Sequence, residues 1–139
     1  MENLYKKEKK MNWYIRVIKK YVDFSGRARR KEYWYFYLFN VIISYGIYLI
    51  GSFAADSVGL FFFWILILYD LFIFLPSWAV YVRRLHDTGH SGWFLFIGLI
   101  PIVGPIMLLI TLLSDSHSGQ NEWGRSPKYG TPVVEEIGK

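Results

Sequence analysis

Three long apolar runs, separated by short polar segments, set the pattern of this chain. The first, Tyr33–Ala55, carries no charge, and its polar groups are Asn40, Ser44, Ser52 and several tyrosines. The second, Leu60–Val82, would reach roughly 34 Å as a helix, enough to cross a hydrocarbon core of about 30 Å. The third, Trp93–Leu113, is broken near its middle by Pro101-Ile102-Val103-Gly104-Pro105. Its two prolines lack amide donors, which leaves the carbonyls of Ile97 and Pro101 without helical partners. Ahead of these runs, Met11, Tyr14, Ile15, Ile18, Tyr21 and Val22 recur at helical spacing, opposite Arg16, Lys19, Lys20 and Asp23. That spacing predicts an amphipathic helix over 12–24 lying in the headgroup region, ended by Phe24-Ser25-Gly26. The pattern as a whole predicts an all-α integral membrane protein. An interfacial helix precedes three transmembrane helices at 33–55, 60–82 and 93–113, the third broken at Pro101–Pro105. Residues 11–113 form one membrane domain, 1–10 a disordered extension and 114–139 a polar tail.

Charge orients these elements. Residues 1–32 hold eleven of the sixteen Lys and Arg, whereas Tyr33–Val82 holds none and only Asp56 and Asp70 as acids. Basic residues abutting a membrane-length apolar run favour anionic lipid headgroups over nucleic acid. They also place the N-terminus and Arg83-Arg84 in the cytoplasm, with the Asp56 turn outside. With three spans the near-neutral tail lies outside; if the Pro101–Pro105 break makes a re-entrant hairpin, the tail returns to the cytoplasm. The first run begins too late and is too long for a cleaved signal peptide. Cysteine is absent, which excludes disulfides, thiolate chemistry and Cys-based metal sites.

Candidate chemistry gathers in Arg83–Trp93, the strongly polar insertion between the second and third runs. Guanidinium forks from Arg83, Arg84, Arg27, Arg29 and Arg30 are suited to lipid phosphate, and His86 and Asp87 belong to the same lipid- or partner-binding surface. His86 and His90 stand four apart, a metal-ligand spacing on a helix. Thr88-Gly89 breaks that helix and too few ligands accompany them, so no metal site is expected. The plainer reading has the Asp87 carboxylate pairing with Arg83, Arg84 or backbone amides to fix the turn between two spans. Asp70 stands at the middle of the second run. A central Asp costs about 2.5–3.5 kcal/mol, against roughly 4.5–9 kcal/mol returned by fifteen Leu, Ile, Phe and Val, so the span still inserts. Ser44, Asn40 and the carbonyls freed by the prolines fall at similar depth and, with Asp70, compose a candidate ion or proton site. The plainer alternative is a protonated Asp70 holding helices together.

Three blocks resemble the small bacterial inner-membrane proteins grouped as domain of unknown function 805. They are MNWYIRVIKKYVDFSGRARRKEYW (Met11–Trp34), LPSWAVYVRRLHDTGHSGW (Leu75–Trp93) and LIPIVGP (Leu99–Pro105), followed by a QNEWGRSP tail motif (Gln120–Pro127). The resemblance implies several helices in a bacterial inner membrane and sets Met11 at the usual start. Trp123 stands where a tyrosine or phenylalanine is common. It supplies no activity. The expectation is therefore a structural or regulatory membrane protein without catalytic residues or cofactor. Its partners would be anionic lipid, a second copy or another membrane protein, and not nucleic acid. The alternative is a homo-oligomeric small-ion transporter or channel subunit using Asp70. An enzyme of lipid phosphates using His86 and Asp87 ranks last, since no second carboxylate cluster accompanies them.

Overall fold

A computed structural model describes residues 11–129. The expected N-terminal extension and the last part of the tail lie outside the described residues. Helix α1 (Met11–Lys19) leads through an irregular stretch to α2 (Arg30–Phe53), which pairs with α3 (Asp56–Asp87) in a long antiparallel hairpin. A 3-10 helix (Gly92–Leu99) and α4 (Val103–Leu113) form a short second hairpin. The tail closes with a two-stranded ribbon, β1 (Gln120–Asn121) against β2 (Gly124–Arg125), antiparallel with Gln120 opposite Arg125.

The α2–α3 turn is tight because glycines let the helices touch. A Cβ on Gly51 would meet that of Phe62 at 2.9 Å, and one on Gly59 would meet the Gly51 carbonyl at 3.0 Å. Asp56, expected in the turn, instead opens α3, where its charge suits the helix N-terminus. At the far end α3 runs past the expected limit at Val82 to Asp87. It stops there in a Schellman arrangement: His90 N–H donates to the Leu85 carbonyl (3.0 Å) and Gly89 N–H to that of His86 (3.1 Å), with Gly89 at φ +85°. Pro76 sits inside α3 and cannot donate to the Phe72 carbonyl one turn back. Tyr21 fills that gap, its hydroxyl donating to Phe72 O at 2.6 Å.

Among the described residues two helices are long and apolar enough to cross a membrane, Arg30–Phe53 and Asp56–Asp87. Only 11% and 6% of their apolar windows is buried, the reverse of a soluble protein's core helix. The third expected span is not a continuous helix. Its eight-residue 3-10 arm and eleven-residue α arm each reach about 16 Å, half a hydrocarbon core. The arms fold back at Ile102, whose φ of 68° and ψ of −60° with a Val103 N–H to Pro101 O bond (2.8 Å) make a strained left-handed γ-turn. Gly104 permits the close return, since a Cβ there would lie 1.9 Å from the Ile97 carbonyl oxygen. The carbonyls expected to be freed by the prolines are taken within this hairpin, Ile97 O by Ile100 N–H (3.0 Å) and Pro101 O by Val103 N–H.

Helix α1 is shorter than the expected 12–24 and uses a different face. Trp13 and Val17 are buried, Tyr14 and Ile18 half-buried against the core, and Ile15 and Val22 exposed. It is docked on the start of α2, where Tyr14 stacks on Phe36 at 5.1 Å. The packed core is accordingly at one end of the hairpin, with Val17, Ala28, Tyr33, Phe36, Ile73, Val80, Leu85 and Leu112 in contact.

Candidate functional site

At this packed end the usual order of a protein interior is inverted. Arg83, Arg84 and Asp87 are at most 1% exposed, while large apolar residues such as Phe53, Leu68 and Phe72 are open along the hairpin. Helix α3 brings Arg84 and Asp87 together at i, i+3, and the Asp87 carboxylate becomes the hub. Arg27 donates through Nε to Asp87 Oδ1 (2.9 Å), Arg84 donates to Oδ2, and Ser116 Oγ donates to Oδ2 as well. Arg27 spends its other nitrogens on the carbonyls of Asp87 (3.1 Å), His117 (2.6 Å), Gly119 (2.9 Å) and Gly124 (3.3 Å). Arg84 also reaches the carbonyls of Leu112 (3.2 Å), Ala28 and Ser114. Arg83 pairs with buried Glu32 (3.3 Å). A carboxylate buried this deeply persists only with such partners.

The tail is the lid of this knot. His117 N–H donates to Asp87 O (2.8 Å), Asn121 Nδ2 donates to His86 O (2.8 Å), and Trp123 stacks on the His86 ring at 4.5 Å and 6°. His86 Nδ1 faces the Gly26 carbonyl at 3.1 Å, which requires the proton on that nitrogen. Residues Ser114–Arg125 are held against Arg27, Arg84, His86 and Asp87, as the re-entrant alternative requires. The polar stretch is likewise not a free loop: its first five residues are the buried end of α3, and Gly89, Ser91 and Trp93 are its exposed members. His90 bonds with Thr88 Oγ1 (3.2 Å) and packs on Phe94. Among the described residues no three His, Asp or Glu side chains gather as metal ligands.

Arg29 and Arg30 take no part in the knot. They line a separate pocket of about 560 Å³ with Lys31, Trp34, Lys128 and Trp13. Two guanidiniums approach the Trp13 ring, Arg16 at 4.9 Å and Arg29 at 5.8 Å from its centroid. Two buried donors here, Arg29 Nε and Trp34 Nε1, find no acceptor among the described residues. Asp115 also lines the pocket and is tied to Lys128 and Tyr129. The Lys128 ammonium and the Ser116 amide hold the Asp115 carboxyl down at about 2, and Asp115 in turn raises Lys128 above its ordinary value.

The remaining candidates lie midway along α2 and α3. Ser44 Oγ donates to Asp70 Oδ1 (2.9 Å), while Asn40 Oδ1 accepts from Tyr69 (2.6 Å) and Tyr14 (3.4 Å). Asp70 faces a side-opening groove of about 770 Å³ between the two helices. Of the broken run, Leu95 alone lines it, so the proline-flanked carbonyls are not Asp70's neighbours as expected.

The residues missed in sequence are Glu32, Ser116, His117, Asn121, Trp123 and Lys128. The tail motif was the available signal, but nothing in its composition identifies Asp87 as its target.

A family model described as "Protein of unknown function (DUF805)" matches residues 21–125. The chain is 40% identical over 122 residues to "Inner membrane protein YhaH" of Escherichia coli (strain K12), covering 85% of this chain and 98% of that one. It is 43% identical over 121 residues to "Inner membrane protein YhaI" of the same organism, covering 87% and 99%. No solved structure matches.

Proposed function

The chain belongs to the DUF805 family, and on that premise we propose that it is a bacterial inner-membrane protein that acts by binding anionic phospholipid headgroups. Helices α2 and α3 cross the membrane, the 3-10/α4 hairpin enters and leaves on one side, and both the N-terminal basic cluster and the tail lie in the cytoplasm. Charge supports this orientation, because the basic residues concentrate at the packed end and the opposite turn is acidic.

The expected headgroup surface is redistributed. Arg27 and Arg84 are committed to carboxylates and carbonyls inside the protein, and Arg83, whose Nη2 also finds no acceptor among the described residues, pairs with Glu32 away from this pocket, which leaves Arg29 and Arg30, joined by Lys31 and Lys128. The observation that carries the reading is the pair of buried, unaccepted donors, Arg29 Nε and Trp34 Nε1, at the wall of a pocket with these four cations and one acid. Buried donors are normally satisfied, and a phosphate oxygen is the acceptor that also meets the surplus positive charge. Trp13, Tyr35 and Leu38 below them suit the glycerol and upper acyl region.

Native mass spectrometry of the purified protein with phosphatidylglycerol or cardiolipin, against phosphatidylcholine, tests this. Anionic lipid should remain bound at low detergent, and both Trp34→Phe and the pair Arg30→Gln/Lys31→Gln should weaken its retention severalfold. Equal retention of phosphatidylcholine, or no change in either variant, would overturn the reading.

A further inference from the structure

Asp70 is left unexplained by a headgroup site at the packed end. It sits about 21 Å along α3 from Asp56 and about 25 Å from Asp87, well inside any bilayer the hairpin crosses. A charge at that depth is costly unless partnered, and no Lys or Arg occurs anywhere in Tyr33–Val82. One hydroxyl, that of Ser44, reaches its Oδ1. The carboxylate opens into the α2–α3 groove, whose walls include Tyr45, Tyr48, Leu66, Phe74 and Trp78. Tyr45 and Tyr48 stack at 6.2 Å. The groove's volume of about 770 Å³ is that of a small-molecule site, which typically runs from about 300 to 1,000 Å³.

We infer that this groove binds a lipophilic organic cation: one delocalised or amine-borne positive charge at Asp70 on an apolar body held by the aromatic walls. Charge complementarity selects the sign. The carboxylate supplies the counter-charge in a low-dielectric setting, and the tyrosine and tryptophan faces add cation–π attraction. Size and wall chemistry select an organic body over a bare metal ion. A hard cation needs about six oxygen ligands, whereas the groove offers a carboxylate, a few hydroxyls and the Asn40 amide, and the carbonyls of Ile97 and Pro101 are occupied elsewhere. The groove lies between two helices whose apolar faces are exposed, so such a ligand would enter from the lipid phase.

The test uses the full chain in nanodiscs and radiolabelled tetraphenylphosphonium, whose charge does not titrate. Binding should be saturable above lipid partition, fall at least about tenfold in Asp70→Asn, fall severalfold in Trp78→Leu, and persist in Asp56→Asn at the distant turn. Circular dichroism and thermal unfolding establish that each variant is folded; because Trp78→Leu retains the carboxylate, it keeps the test decisive if Asp70→Asn unfolds. Unsaturable uptake by the wild type, or undiminished binding in folded Asp70→Asn or Trp78→Leu, would overturn the inference. So would near-complete cross-linking between copies through Ser44→Cys in this cysteine-free chain, because a second copy would then fill the groove.

Discussion

At the residue scale, Asp87 decides how the packed end holds together. It neutralises two buried guanidiniums, and removing its charge strands them both. Asp87→Asn should therefore cost on the order of 3–5 kcal/mol of stability, read as a lowered unfolding midpoint in detergent. Arg27→Lys should also destabilise, because one ammonium cannot reach the five acceptors that Arg27 joins across three segments. A milder effect belongs to the exposed Asp115–Lys128 tie. The Asp115 carboxyl lies at about 2 in the fold and at 3.8 ordinarily, so its contribution is complete above 3.8 and fades as pH falls through about 2. Asp115 accepts from the Ser116 amide at 2.9 Å, whose NMR shift should titrate with a midpoint near 2 and move upward in Lys128→Met. A wild-type midpoint near 3.8 would refute the tie.

Among the elements, the proline-flanked hairpin carries the clearest lesson about reading the chain. Its 21 uncharged residues satisfy the length test for a span, and periodicity is silent about a reversal inside an apolar run. Pro101, Gly104 and Pro105 signalled a break, yet a γ-turn at a β-branched Ile102 has no composition signature. The α2–α3 pair was legible for the opposite reason: length, absence of Lys and Arg, and flanking arginines all agree. Within the knot the Arg84–Asp87 pair agrees with the plainer reading of Asp87, but the part of Arg27 was not legible, because its partners lie 60 to 97 residues away and arginines near a span end are read by default as facing headgroups. Asp70 and Ser44 could be paired by depth alone, and they do meet. The hairpin makes two predictions. Gly104→Ala should force the arms apart, since its Cβ would overlap Ile97 O, and should sharply lower the thermal midpoint. Ile102→Gly should instead raise stability by about 1 kcal/mol by relieving the left-handed strain, measured by the same unfolding assay.

The molecule as a whole is a long helical hairpin whose charged interior lies at one end, closed by its own tail. Arg27 and Arg84 tie the α3 terminus to segments distant in sequence, so the proposed topology puts the tail ribbon, α1 and the α3 terminus on one side of the membrane. The cysteine-free chain allows the direct measurement: single cysteines at Lys19, Ser57 and Ser118, labelled with a membrane-impermeant maleimide in sealed inside-out and right-side-out vesicles. Lys19→Cys and Ser118→Cys should label from the cytoplasmic side and Ser57→Cys from the other. Labelling of Ser118→Cys together with Ser57→Cys would mean that the Trp93–Leu113 run crosses the membrane, and would contradict the account.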